Sequence, residues 1–548
     1  MNVGMRLSEV AADMPDRMAV AVPGKRTGPA TRSYDQVTFA QLQQDSDQIA
    51  AGFQAMGIPA GTRMVLAVPP SIEFVSLVFA MLKAGLVMIL IDPGMGRKNV
   101  LRCLEEAEPE GFVGIPLVHA MRLLFRKRFP KSRYNVTVGR RWCWGGTTLK
   151  KIRQSVGRTL RAPDTGPDDP AAIIFTTGST GPPKGVLYRH QNFCSQVDEI
   201  RDFYDIQPGE IDLPGFPLFA LFNSVMGVST VIPDMDPTRP AEVDPKNIID
   251  PVNQWGITQA FGSPALWTRV GQHCEKTGDQ MPTLKRVLSA GAPVPEHVLR
   301  RISQAIHPEG DIYTPYGATE ALPVASTSAS EVLQETIARS REGAGTCVGR
   351  RFPEIQWQVI RIDDGPLARI ADVEPLPAGE IGELMVRGPV VTKEYATRTE
   401  ANADHKVDDE GETWHRMGDV GYLDEEDRFW FCGRKAHRVR TANGVMFTVP
   451  CETIFNQHPS IYRSALVGIG PKDQQRPVII VELWPDKEPA NDQEQRDLVQ
   501  ELLTLAAHHQ LTRPIQEVLI HPSLPVDIRH NSKIFREQLT VWAGEQGV

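Results

Sequence analysis

A chain of 548 residues, 41% hydrophobic and 23% charged, has the composition of a folded globular protein, long enough for three or four domains or for one large α/β unit with a smaller appendage. A net charge of −8 argues against a nucleic-acid binder and for small-molecule chemistry, and seven scattered cysteines without a C-x-x-C pair support neither a disulfide framework nor a zinc site. Residues 1–20 lack the marks of a signal peptide and the most apolar stretch, 75–91, is broken by Lys83 and Gly85, so the expectation is a reduced, cytoplasmic protein without a transmembrane helix.

In chain order, Val37, Thr38 and Phe39 predict a short strand, and Leu42, Ile49, Ala50 and Phe53 an amphipathic helix. Residues 65–68 read as a buried strand, Ser71 caps a helix through Leu82, Gly85 ends it, and residues 87–91 form a strand closing at Asp92-Pro93. This β–α–β rhythm predicts an α/β fold with mainly parallel strands. Residues 122–161 hold thirteen Lys or Arg and no Asp or Glu. Such a section is either a solvated basic surface or a docking face for an acidic partner or anionic lipid.

Next, Ile173, Ile174 and Phe175 run into Thr176, Thr177, Gly178, Ser179, Thr180, Gly181, Pro182, Pro183, Lys184 and Gly185: an apolar strand breaking into hydroxyls, glycines and a lysine. Glycines let backbone N–H groups approach phosphate oxygens, the hydroxyls add donors, and Lys184 brings a positive charge to the same anion. A Walker A loop would need Gly directly before the lysine and Ser or Thr directly after it, where this chain has Pro183 and Gly185. A plain Gly/Pro turn accounts for the glycines and prolines but not for four hydroxyls and a lysine among them.

Beyond this loop, residues 212–240, with Phe216, Phe219, Ala220 and Phe222, read as a pocket wall followed by a loop; the same aromatics also fit a plain core. His190 is a candidate base by residue type alone. Residues 256–260 and 286–289 read as short strands, the second leading into Ala290, Gly291 and Ala292, which are small enough for a flat ligand to approach the backbone. Thr314, Tyr316, Gly317, Thr319 and Glu320 follow, then a strand within 379–387 and a hairpin over 415–431. After Arg434 the pattern changes to short strands at 465–468, 478–483 and 518–521 and a helix over 492–508. That change divides the chain into 1–434 and 435–548, the second part carrying Lys533.

Activating a carboxylate with ATP brings two anions together, so the site must neutralise phosphates, hold magnesium and stabilise charge at the α-phosphorus. Glu320 is a hard oxygen ligand suited to Mg2+, which takes one or two carboxylates beside phosphate oxygens, and Thr319 can donate to the α-phosphate. Asp419 can accept both ribose hydroxyls, Arg434 can bind ribose or phosphate, and Tyr316 offers a stacking face to adenine. Taken singly, each also fits a turn cap, a surface pair or a core position.

In their joint order the phosphate loop, residues 289–293, 316–320, 382–389 and 416–419, Gly433-Arg434 and the final Lys533 resemble the adenylate-forming superfamily of acyl-CoA synthetases, luciferases and peptide-synthetase adenylation domains. The resemblance covers nearly the whole chain. It implies a large N-terminal multilayer α/β domain and a small, mobile α+β C-terminal domain, with ATP and Mg2+ as reactants. It further implies nucleotide contacts from Thr176 to Gly181, Lys184, Ala290 to Ala292, Thr314, Tyr316, Gly317, Asp419 and Arg434. Catalytic roles fall to Lys533, Thr319 and Glu320, and Phe219, Ala220 and Ser263 belong to the substrate pocket.

Residues 215–222, 231–240, 343–349 and 525–533 are most similar to the β-lactone synthetase branch of bacterial long-chain olefin biosynthesis. That implies ATP-dependent conversion of a long-chain 2-alkyl-3-hydroxy fatty acid to a β-lactone, with release of AMP and pyrophosphate. A β-lactone decarboxylase and a short-chain reductase would be pathway partners. Ala220, where many members have His, and Ala436, where a hinge Asp or Lys is common, count against thioester formation. A fatty acyl-CoA ligase and a non-catalytic nucleotide-binding scaffold stay open as alternatives.

Overall fold

The computed structural model describes residues 2–28, 31–154, 159–161, 164–176, 181–216, 219–527 and 533–547, the side chains of Phe219 and Ala220 excepted. The predicted capped helix is Ile72–Lys83, and Ser71 Oγ accepts from the Phe74 N–H at 3.1 Å. A cap of this kind contributes about 1 kcal/mol. Every residue from Phe74 to Lys83 is buried, so the helix lies between layers. Lys83 is tolerated there because its Nζ donates to Gln43 at 2.6 Å and to Ser46 and Asp47 at 2.8 Å, replacing the water it has lost.

Two sheets of seven strands each carry the first part of the chain. One is ordered Asp311–Tyr313, Arg286–Ser289, Gln259–Gly262, Ile211–Pro214, Ser229–Val231, Met18–Arg26, Arg32–Thr38. The other is Thr147–Thr148, Tyr134–Thr137, Gly111–Gly114, Arg63–Ala67, Val87–Leu90, Pro170–Phe175, Gly185–Arg189. Both are parallel except at the last pair, as the β–α–β rhythm predicts. Parallel strands covered on both faces read as unbroken apolar runs, of which Val87–Leu90 is wholly buried.

The third sheet departs from that expectation. From Tyr316–Ala318 to Arg428–Arg434 the strands are joined chiefly by turns and irregular segments rather than by helical crossovers, and the pairing is antiparallel throughout. In the predicted hairpin, Glu412–Leu423 pairs with Arg428–Arg434 so that Asp419 stands opposite Arg434. Residues 212–240 also hold more structure than a pocket wall and a loop. They contain helix Phe219–Met226 and strand Ser229–Val231, because Leu221, Phe222, Val225 and Met226 recur at helical spacing.

Toward the C-terminus, Ile461–Ile469, Arg476–Leu483 and Glu517–Ile520 form a three-stranded sheet beside helices Thr448–Phe455, Asp492–His508 and Arg536–Glu545. The second of these helices has the predicted bounds and is capped by Asn491. Two apolar clusters drawn only from Val439 onward give this smaller part its own core. Among the described residues, no helix is long and apolar enough to cross a membrane.

Candidate active site

Strands Pro170–Phe175 and Gly185–Arg189 form an antiparallel hairpin with Phe175 opposite Gly185, and the sequence-predicted phosphate loop is its tip. Its base is pinned twice: the Thr176 N–H donates to the Lys184 carbonyl and the Lys184 N–H to Thr176 Oγ1, both at 3.0 Å. Glycine is required at 185 because a Cβ there would stand 2.9 Å from Ile173 Cγ2 and 3.0 Å from Thr397 Oγ1. Thr177, Gly178, Ser179 and Thr180 lie outside the described residues.

A cavity of about 1850 Å³ opens at this hairpin. Thr176, Gly181 and Lys184 line it together with Ala290, Gly291 and Ala292, which follow strand Arg286–Ser289. Thr314, Tyr316, Gly317, Thr319 and Glu320 line it from the edge of the third sheet, and Asp419 and Arg434 from that sheet's centre. Lys533 reaches the same cavity from the smaller part of the chain. Thus the described residues that the superfamily resemblance assigned to nucleotide or catalysis all border one space.

The polar groups are held before any ligand arrives. Asp419 Oδ2 accepts from the Tyr316 hydroxyl at 2.5 Å and its Oδ1 from Arg434 Nη1 at 2.5 Å, a contact that the cross-strand register dictates. A carboxylate has about four acceptor sites, so each oxygen keeps capacity for a ribose hydroxyl. Burial and the neighbouring Asp419 raise the Tyr316 pKa well above the usual phenol value, keeping it a donor. Its ring also packs 6.0 Å from Phe429, so Tyr316 is a support for Asp419 as well as a wall of the cavity.

Around Glu320 the structure adds residues that carry no motif. The Tyr395 hydroxyl donates to Glu320 Oε1 at 2.7 Å, and the Thr392 N–H and hydroxyl hold the Glu320 carbonyl at 2.9 and 3.0 Å. Lys406 Nζ donates to the Thr392 carbonyl, while Lys184 Nζ lies 3.0 Å from His405 Nε2 and 4.9 Å above the Tyr395 ring. Burial lowers the Lys184 pKa and pushes Lys406 down to about 7 and His405 to about 4. Basic groups crowded about Glu320 make a site suited to a polyanion, whose arrival would favour their charged forms. Strand pairing brings this set together, since Lys406 stands opposite His415 and His405 directly precedes that strand.

Glu320 is buried, yet among the described residues its Oε2 carries no hydrogen bond. No group of three or more His, Cys, Asp or Glu able to cage a metal occurs among the described residues. One carboxylate oxygen facing a cationic cavity fits magnesium, which completes its shell with phosphate oxygens and water, and does not fit a metal that needs an all-protein cage.

The apolar part of the cavity is lined by Phe216, Leu221, Phe222, Phe261, Leu288 and Leu322. Ser263 borders it while also capping helix Pro264–Thr277, its Oγ accepting from the Leu266 N–H at 3.4 Å. The side chains of Phe219 and Ala220 lie outside the description. His190, the base candidate by type, is buried elsewhere: its Nδ1 accepts from the Val3 N–H at 3.4 Å and burial pushes its pKa down to about 4. It does not line the cavity, which leaves it a packing role.

Comparison with known proteins agrees with this geometry. Residues 7–396 match the family described as AMP-binding enzyme. The chain is 44% identical over 554 residues to an olefin β-lactone synthetase of Xanthomonas campestris pv. campestris, covering 100% of this chain and 98% of that one. A protein of the same name from Stenotrophomonas maltophilia is 45% identical over 558 residues, with the same coverage. Among solved structures, the amide bond synthetase McbA from Marinactinospora thermotolerans superposes with a TM-score of 0.80 at 20% identity, covering 99% of both chains. O-succinylbenzoate coenzyme A synthetase (MenE) from Bacillus subtilis, in complex with ATP and magnesium ion, gives 0.74 at 18% identity, covering 97% of this chain and 98% of its own.

Proposed function

The chain belongs to the AMP-binding enzyme family, alongside the olefin β-lactone synthetases, and is an AMP-forming ligase; from that premise we propose that it closes long-chain 2-alkyl-3-hydroxy acids to β-lactones. The observation that carries this reading is that one cavity is lined both by Lys184, Glu320, the Asp419–Arg434 pair and Lys533 and by phenylalanines and leucines. A nucleoside triphosphate suits the first set and an alkyl chain the second.

In the first step the acid's carboxylate oxygen attacks the α-phosphorus of ATP; an acyl–O–P bond forms and pyrophosphate leaves. Lys184 and Lys533 stabilise the negative charge that gathers on the phosphates, with Thr319 donating to the α-phosphate. Glu320, kept in place by Tyr395, would hold Mg2+, which when bound neutralises phosphate charge. In the second step the substrate's own 3-hydroxyl oxygen attacks the acyl carbon, its proton is released, and AMP departs with the electrons of the acyl–O bond. Nucleophile and electrophile belong to one molecule, and oriented intramolecular attack reaches effective molarities on the order of 10⁵ M or more. No thiol is then required.

We place the boundary between the two parts at 434/435, which is supported by the separate apolar clusters after Val439. We also place the enzyme in the cytoplasm, where its seven free cysteines would stay reduced, and its product would pass to a β-lactone decarboxylase. Incubation with ATP, Mg2+ and a synthetic 2-alkyl-3-hydroxy acid, without coenzyme A, tests the reading. β-Lactone, AMP and pyrophosphate are the expected products, and acyl-CoA formed only when the thiol is supplied would replace this reading with the acyl-CoA ligase one.

A further inference from the structure

The basic section 122–161 is less uniform in the fold than in the sequence. Arg128, Lys131 and Arg133 pair with Glu105, Glu108 and Glu110 at 3.3, 2.9 and 2.8 Å, and Arg153 pairs with Asp45 at 2.6 Å. Arg122 is buried, its Nη2 donating to the Trp144 carbonyl at 2.8 Å. Arg126, Lys127, Arg140 and Arg141 are exposed and form no ion pair among the described residues. Arg126 and Lys127 directly follow helix Pro116–Leu124, and Arg140 and Arg141 lie in the 139–144 loop beside it.

That helix packs Val118 and Met121 on the core beneath it, yet its remaining residues depart from an ordinary amphipathic pattern. It buries His119 and Arg122 and exposes Leu117, Leu123 and Leu124. His119 Nε2 lies 3.0 Å from the Val136 carbonyl, and its ring stacks on Trp144 at 5.9 Å, which in turn stacks on Trp142 at 5.8 Å. The stack, with Gly139 abutting Pro116, fixes the 139–144 loop beside the helix and leaves Trp142 at its outer end. Leu124, Leu117 and Trp142, at 78%, 74% and 70%, are the three most exposed large hydrophobics among the described residues. Leu117 and Leu124, seven residues apart, share one face of the helix, and with Trp142 on the adjoining loop they concentrate exposed apolar surface in one region, which marks a docking site rather than scattered exposure.

We propose that this face, with Leu117, Leu124 and Trp142 as anchors and Arg126, Lys127, Arg140 and Arg141 as its rim, docks the enzyme on an anionic lipid bilayer. The charge pattern favours this occupant over a protein. The rim carries four cations and no carboxylate, complementary to acidic headgroups. Leucine anchors, under-represented among protein–protein hot spots, suit a bilayer, where leucines enter the acyl boundary, tryptophan sits at the headgroup level and Lys or Arg stems extend back to the surface.

Flotation of the full-length enzyme with phosphatidylcholine vesicles, with and without phosphatidylglycerol, tests the proposal. The wild type should float with the anionic vesicles at low salt and much less at high salt. Reversing the rim as Arg126→Glu, Lys127→Glu, Arg140→Glu and Arg141→Glu should weaken binding on the order of 10²-fold or more. Leu117→Ser with Leu124→Ser should weaken it at any salt concentration. Since these residues are exposed, both variants should keep the wild-type melting midpoint and turnover of a soluble short-chain substrate. Trp142→Phe, which conserves the stack, should abolish most quenching of fluorescence by brominated lipid. No binding to anionic vesicles, binding that neither variant weakens, or quenching that survives Trp142→Phe would overturn the assignment. So would self-association in solution that the leucine variants abolish while vesicles go unbound, which would place a second copy on this face.

Discussion

The charged and the apolar lining of the cavity are built on different principles. In the charged lining each charged group is already engaged by a neighbour: Asp419 by Tyr316 and Arg434, Glu320 by Tyr395, Lys184 beside His405. In the apolar lining Phe216, Leu221, Phe222, Phe261 and Leu288 offer shape and little else. Fixed dipoles and charges act strongly because they need no reorganisation when charge develops, whereas an apolar pocket discriminates only by fit. The account therefore assigns rate to the first lining and chain preference to the second, and substitutions in the two should affect different observables.

The largest effect is expected at Lys533. Lys533→Ala should lower the rate of adenylate formation on the order of 10²- to 10³-fold while nucleotide affinity changes little, since most contacts come from the larger part of the chain. Pyrophosphate exchange and equilibrium ATP binding, measured on the same variant, separate the two effects. Glu320→Gln should cost roughly 10²-fold at limiting magnesium, with partial rescue as magnesium rises, because the amide keeps the shape and loses the charge. Tyr395→Phe sharpens the comparison, as it removes only the hydroxyl that holds Glu320; about tenfold weaker magnesium affinity is expected with unchanged acyl-chain preference.

In the apolar lining, Phe222→Trp should shift the preferred chain length by roughly tenfold in relative kcat/KM, the scale of a methylene or two in a pocket, and leave the KM for ATP alone. A matching change in ATP kinetics would break the division between the two linings. The smallest effect concerns His190, outside both. Its folded pKa near 4 lies below the value of an unperturbed histidine, so between those limits the unfolded chain takes up a proton that the folded chain refuses. Stability contributed by this residue therefore falls as pH drops from about 6.5 toward 4. His190→Asn should flatten the acid limb of a urea-midpoint profile without altering turnover.

The same contrast explains what could be read in advance. Lys184, Glu320, Asp419 and Arg434 stand in short stretches whose residue types imply anion, metal and ribose chemistry. Their neighbours Tyr395, Lys406 and His405 stand in none. They reach the site because Lys406–Asp409 pairs with Glu412–Leu423 in an antiparallel sheet, a long-range event that local periodicity does not encode. The parallel sheets were legible because capped helices such as Ile72–Lys83 alternate with wholly buried strands such as Val87–Leu90. The third sheet was legible only at its hairpin and at strand Gly382–Arg387, which falls within the predicted 379–387. Likewise, helix Phe219–Met226 was obscured because an aromatic cluster reads alike as pocket and as core, and the burial of His119 and Arg122 in helix Pro116–Leu124 makes sense only once their partners are known.

The central claim is that the acceptor of the activated acyl group is the substrate's own hydroxyl. It is tested most directly by following two matched long-chain acids, one with and one without the 3-hydroxyl, with ATP and Mg2+ in the presence and absence of coenzyme A. The hydroxy acid should yield β-lactone and AMP at a rate indifferent to coenzyme A, and the deoxy acid should form an adenylate and stall. Steady acyl-CoA production from both acids, dependent on the thiol, would contradict the account while leaving the charged lining of the cavity as described.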